Sequence, residues 1–222
     1  MNGIILDAER LAGYIDHTLL KPDATAKQIE KLCAEARVNR FFGVCVNGSW
    51  IRLARRLLDG EGVRIISVVG FPLGAMSGVV KCFETESAIR DGAQEIDFVL
   101  HIGHLKEGDD AYVGREIADV VKAAAGCPVK VILETCLLSK EEIVRACRLA
   151  PDNGAQFVKT STGFSGNGAT VADVKLMRKT VGPNYGVKAS GGIRDAKTAL
   201  AMIEAGATRL GTSAGVTIIN SL

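Results

Sequence analysis

Several things are scarce in this 222-residue chain, and each scarcity narrows what it does. Aromatic residues make up only 5% while apolar residues reach 47%, so the core has to be built from Ala, Val, Ile and Leu, as in buried parallel sheets. No sign of charge is in excess: 27 basic against 25 acidic residues leave a formal +2, and no basic stripe suited to nucleic acid stands out. No apolar run approaches the roughly 20 residues of a membrane span, and the N-terminal stretch, with Asp7, Glu9 and Arg10 near its start, lacks a signal-peptide core. No membrane role and a cytoplasmic location are therefore expected. The six cysteines (Cys33, Cys45, Cys82, Cys127, Cys136 and Cys147) are dispersed without a CxxC pair, and His17, His101 and His104 lack HExxH-type spacing. Neither a disulfide framework nor a metal site is expected. Linkers and low-complexity tracts are missing too, so residues 1–222 are read as one domain.

What is present is an alternation of strand-type and helix-type segments. Strands are expected at Tyr14–Leu20, Phe41–Val46, Arg64–Phe71, Glu95–His101, Val129–Thr135, around Phe157–Lys159, Val187–Ser190 and Thr208–Gly211. A short helix near Asp7 precedes the first, and helical patterns follow each strand. Among them are Ser77–Arg90, Asp109–Ala125, one opened by a Ser139–Glu142 capping box, and one capped by Asp195. Eight strand–helix units in one chain argue for a single (β/α)8 barrel with a short N-terminal helix. A faint repeat supports this: Gly92-Ala93-Gln94, Gly154-Ala155-Gln156 and Gly206-Ala207-Thr208 each end a helix and enter a strand. Five residues beyond each glycine stand Asp97, Lys159 and Gly211, which places an acid and a lysine at equivalent heights.

Lys159 needs explaining, because FVKTSTGFS puts it inside an apolar strand that leaves through Thr160, Ser161, Thr162 and Gly163. Burial penalises an ammonium. Lowering a lysine pKa from about 10.4 to about 7 raises the neutral, nucleophilic fraction about a thousandfold, for roughly 4–5 kcal/mol of destabilised cation. Lys188 in YGVKASGGIR repeats the local frame, and two ammonium groups facing one cavity repel, which pushes one towards the free amine. Either lysine alone also reads as an edge or snorkelling residue.

Active sites of such barrels lie at the C-terminal strand ends, which draws attention to Asp16, Cys45, Asp97, Glu134, Lys159 and Lys188. Asp97, between Ile96 and Phe98, is either a structural ion-pair partner of a lysine or an acid–base group. Asp16 reads as loop support or site support, Cys45 as a core cysteine or a nucleophile, and Glu134 as part of an interior network. His101 is a pocket residue or a satisfied core or surface histidine. Ser190-Gly191-Gly192-Ile193 and Gly211-Thr212-Ser213-Ala214-Gly215, after the seventh and eighth strands, are either plain connections or an anion site, and with Gly163 they point to a phosphorylated substrate.

HTLLKP (His17–Pro22), VCVN, EIDFV, KVILET, FVKTSTGF, VKASGGIR and GTSAG, in this order over nearly the whole chain, resemble the 2-deoxyribose-5-phosphate aldolases. The resemblance implies reversible cleavage of 2-deoxy-D-ribose 5-phosphate to D-glyceraldehyde 3-phosphate and acetaldehyde, without metal or cofactor. It implies a Schiff base on Lys159, pKa perturbation and proton relay by Lys188, and proton donation and acceptance by Asp97. Candidate substrate contacts are Asp16, Thr18, Cys45, Thr160, Gly163, Gly191, Gly192, Gly211 and Ser213, and a homo-oligomer, dimer or higher, is expected. Gly48 stands where many members have proline, and His101 where asparagine is common. Some members carry a longer tail with a tyrosine implicated in proton transfer; this sequence ends at Leu222 without one. Rival readings are another phosphate-binding barrel, such as a sugar-phosphate isomerase, and a non-catalytic sugar-phosphate binder.

Overall fold

A computed structural model describes residues 7–222; the reading of the N-terminal stretch falls partly on the first six residues, outside the described ones. Strands β1 (Ile15–Leu19), β2 (Gly43–Val46), β3 (Arg64–Val69), β4 (Glu95–Val99), β5 (Val129–Ile132), β6 (Phe157–Lys159), β7 (Gly186–Ser190) and β8 (Arg209–Thr212) pair in parallel, in sequence order, and close into a barrel. Around them run α1 (Ala8–Ala12), α2 (Ala26–Val38), α3 (Ile51–Leu57), α4 (Gly78–Asp91), α5 (Ile102–Glu107), α6 (Asp110–Ala123), α7 (Lys140–Asp152), α8 (Val171–Val181), α9 (Ala196–Glu204) and α10 (Gly215–Asn220). The (β/α)8 barrel expected from the alternation is the architecture found. No helix among the described residues is long and apolar enough to cross a membrane.

The period-2 geometry of a strand sorts its residues between two environments. Ile15, Val44, Ile65, Ile96, Phe98, Val129, Val131, Val158, Val187, Ala189 and Leu210 point outward and pack with the helices in one continuous core. Their inward-facing neighbours fill the barrel. Followed strand by strand from Asp16, the pairings return to β1 at the position of Ala8, a stagger of eight residues. That stagger puts the inward residues of alternate strands into shared layers. Cys45, Asp97, Lys159 and Gly211 form one layer; Asp16, Ile66, Lys130 and Lys188 lie below it, and Thr18, Val68, Ile132 and Ser190 above it.

The sequence repeat is the mark of this layering. Gly92, Gly154 and Gly206 all have positive φ (112°, 85° and 109°). The third residue of each unit uses its side chain to accept a strand-entry amide: Gln94 from Ile65, Gln156 from Val129 and Thr208 from Val187. Arg40, at φ 53°, is a fourth unit without glycine, and five residues on it leads to Cys45, in the same layer as Asp97 and Lys159.

Besides a β2 that starts at Gly43 rather than Phe41 and a β3 that stops at Val69 rather than Phe71, two places differ from expectation. β5 stops at Ile132 rather than Thr135, because Glu134 turns left-handed at φ 58°. β4 stops at Val99, and the unexpected α5 follows: His101 Nδ1 accepts from the His104 amide at its start, and Gly108, at φ 82°, closes its end. The Ser139–Glu142 capping box and the Asp195 cap form as the sequence indicates.

Candidate active site

At the C-terminal face a cavity of about 400 Å³ opens. Its lining includes Thr18, Lys159, Gly163, Gly191, Gly192, Gly211 and Ser213, all singled out from sequence, together with Lys21, Phe164, Ser190 and Arg194. A larger groove of about 790 Å³ lies on the outer helices, lined by surface charges such as Lys140, Arg145 and Arg148. It is remote from the barrel interior.

Beneath the cavity the Lys159 layer, the layer below it and the strand entries at Glu95 and Arg209 hold a buried ionic network. Asp97 is its centre: Oδ2 accepts from Lys159 at 2.8 Å and from Lys188 at 2.7 Å, while Oδ1 accepts from Lys130 at 2.8 Å. Lys188 also donates to Asp16 at 2.5 Å, Lys130 pairs with Glu95 at 2.5 Å, and Arg209 joins Asp16 and Glu95 at 3.1 Å each. Burial pushes the Asp97 carboxyl pKa up, but Lys130, Lys159 and Lys188 outweigh it and hold Asp97 well below the usual carboxylate range. Asp16 is likewise lowered, the pull of Lys188 and Arg209 exceeding the cost of burial. For Lys188, burial acts to release the proton, yet Asp16 and Asp97 prevail and its pKa is raised. Lys188 is therefore charged, and paired with both Asp16 and Asp97.

Asp16, Cys45 and Thr160 are not on the cavity wall. Asp16 is fully buried and engaged with Lys188 and Arg209. Cys45 lies in the Lys159 layer with its thiol pKa pushed up to about 11 by burial, a poor nucleophile. It belongs to a small apolar cluster with Leu20, Ile66 and Val68, against which Phe71 packs. Thr160 Oγ1 is spent on the backbone of Ser190. Glu134 is fully buried and holds the loop after β6, accepting from the Thr162 amide at 3.2 Å, from its hydroxyl, and from Ser165 Oγ at 3.1 Å. His101 serves as the α5 cap and is not among the lining residues.

Sequence reasoning passed over Lys130, Glu95 and Arg209. Lys130 carried a signal like that of Lys159, a lysine within a buried apolar strand, here between Val129 and Val131. Glu95 and Arg209 stand at strand entries, where a charge ordinarily reads as solvent-exposed. Lys21 and Arg194 needed the folded chain, because only the barrel mouth brings β1 and β7 loop cations to one rim.

Comparison with known proteins agrees with this chemistry. The family model described as DeoC/LacD family aldolase matches residues 10–220. The chain is 62% identical to the deoxyribose-phosphate aldolase of Alkaliphilus oremlandii (strain OhILAs) over 95% of each chain, and 59% identical to that of Brevibacillus brevis over 93% of each. Among solved structures it is similar to the deoxyribose phosphate aldolase of Aeropyrum pernix, described as a unique tetramer. The TM-score is 0.91 with 35% identity, covering 97% of this chain and 92% of that one.

Proposed function

The chain belongs to the DeoC/LacD family of aldolases, and from that premise we propose that Lys159 is the amine through which it works, with Lys188 and Asp97 moving the protons. The reaction is the reversible cleavage of 2-deoxy-D-ribose 5-phosphate to D-glyceraldehyde 3-phosphate and acetaldehyde, that of a carbon–carbon lyase. The single observation that carries the residue assignment is that one oxygen, Asp97 Oδ2, accepts from both Lys159 and Lys188.

Charge balance supports Lys159 as the nucleophile. Four basic side chains, Lys130, Lys159, Lys188 and Arg209, face three carboxylates, Asp16, Glu95 and Asp97. With every group ionised the network carries one uncompensated positive charge, which a buried site resists. Lys130, Lys188 and Arg209 each contact two carboxylates, whereas Lys159 contacts one and also lines the cavity. It is the least-paired amine of the network and the one that substrate can reach.

The free amine adds to C1 of the open-chain sugar. Asp97 takes the proton shed by the nitrogen and passes it to the carbinolamine oxygen, and Lys188 supplies the second proton with which that oxygen leaves as water. The resulting iminium draws in the C2–C3 electron pair, so C3 departs as an aldehyde and an enamine remains. Protonation at C2 and hydrolysis release acetaldehyde. The phosphate rests on Gly163, Gly191, Gly192, Gly211 and Ser213, flanked by Lys21 and Arg194, and its binding energy positions C1 at Lys159. In this proposal the whole chain acts as one catalytic domain, in the cytoplasm, and assembles with copies of itself, as its tetrameric relative does.

The purified chain is expected to cleave 2-deoxy-D-ribose 5-phosphate, followed by coupled reduction of the aldehydes formed. Lys159→Ala should lower turnover at least about 10⁴-fold with an unchanged circular dichroism spectrum. Turnover by that variant within tenfold of the parent would exclude Lys159 as the nucleophile.

A further inference from the structure

Among the described residues, Ser190 is a polar side chain at the cavity that the reaction above leaves unused. Ser190, only 5% exposed, lines the cavity, and its Oγ is buried without a hydrogen-bond partner. A buried hydroxyl without a partner is uncommon, because leaving one unmade is costly.

Its position is tightly set. The Ser190 amide donates to Thr160 Oγ1 at 3.0 Å, and its carbonyl accepts from the same hydroxyl at 3.1 Å and from the Ala169 amide at 3.0 Å. The residue that follows the nucleophile thus fixes the backbone of Ser190. Across the β7–β8 pairing Ser190 faces Gly211, and a Cβ at Gly211 would stand 2.4 Å from Ser190 Oγ and 3.1 Å from Lys188 Cε. The missing side chain at Gly211 is what admits the hydroxyl beside the lysines.

In height, Ser190 lies one layer above Lys159 and directly before the Gly191–Gly192 turn. A pentose phosphate with C1 on Lys159 and its phosphate on that turn passes Ser190 midway. C2 of the substrate carries no oxygen, so the first polar group beyond C1 is the one on C3. We propose that Ser190 Oγ is the hydrogen-bond partner of the C3 oxygen, an inference that rests on the aldolase reading above. On cleavage the C2–C3 electron pair passes to the iminium, the O3–H bond breaks, and C3–O becomes a carbonyl. Ser190 donates to O3 as charge builds there. The O3 proton leaves through the Asp97 carboxylate and an equivalent proton is added at C2, so none is gained or lost overall. In synthesis the same hydroxyl orients the aldehyde oxygen of the incoming acceptor.

The test separates the two halves of the reaction. Exchange of acetaldehyde methyl protons in D2O, followed by NMR, requires imine and enamine but no C3 oxygen. Ser190→Ala should exchange within about twofold of the parent while its kcat for deoxyribose phosphate cleavage falls roughly 10- to 100-fold, with KM changing less than kcat. Ser190→Thr, which keeps a hydroxyl, should recover part of that loss. Unchanged cleavage by Ser190→Ala would overturn the proposal. So would an equal fall in exchange and cleavage, which marks a role at C1 or in the scaffold, and so would a weakened inhibition by inorganic phosphate, which places Ser190 at the phosphate. A parent enzyme that neither exchanges nor cleaves would overturn the aldolase reading itself, an outcome distinct from all of these.

Discussion

Two buried lysine clusters lie among the described residues, and only one reaches a cavity. In the helical layer, Lys81 donates to Glu116 Oε1 at 2.6 Å and to the Val99 carbonyl at 2.8 Å, while Glu116 Oε2 accepts from the His101 amide at 2.8 Å. One cation meets one anion, and both are sealed from the cavity. Burial outweighs Glu116, so the Lys81 pKa is lowered. In the barrel, Lys188 has two carboxylates and its pKa is raised, yet it stands in a network where basic groups outnumber acids four to three. Burial alone does not make a lysine reactive. In the mechanism proposed above, an excess of cations together with access to a cavity does, and Lys159 has both.

The sharpest way to break this contrast is to remove the excess. Lys188→Leu leaves three basic groups facing three carboxylates and removes the cation that shares Asp97 Oδ2 with Lys159. The pH at which acetaldehyde forms an imine should move up, and turnover at neutral pH should fall about 100-fold; an unmoved pH profile would remove Lys188 from its role.

The balanced pair should respond in stability instead. Lys81→Met strands Glu116 and is expected to cost about 3–5 kcal/mol in urea unfolding, while Lys81→Met with Glu116→Leu should regain most of it. Activity per folded molecule should stay within about threefold for the double variant. Loss of turnover in both would mean that this pair also shapes the site.

The smallest expected effect is on acid stability. Asp16 and Asp97 have folded pKa values below their unfolded ones. The stability they add is therefore present above about pH 4, their unfolded range, and is lost as pH falls through the folded values. Asp97→Asn should flatten the decline of unfolding free energy below pH 4, and an equally steep decline would assign acid lability to other carboxylates.

The barrel was legible because its strands alternate with helices and because three glycine units keep their distance from Asp97, Lys159 and Gly211. Local signals failed where a tertiary partner decides. Glu134 bends out of a strand pattern to serve the loop after β6, and six residues after His101 coil into α5 because Gly108 stops them. The two lysines and the acid were readable as charges in apolar strands. That Asp97 stands between the lysines, that Lys130 joins them, and that Asp16 supports the floor rather than lining the wall all follow from barrel stagger, which no short window of sequence contains.

The most direct measurement is borohydride trapping in the presence of acetaldehyde, followed by peptide mass mapping. A reduced two-carbon adduct on Lys159, with Lys81, Lys130 and Lys188 unmodified, is the result this account predicts. An adduct on another buried lysine, or none under conditions where the chain still cleaves its substrate, would contradict it.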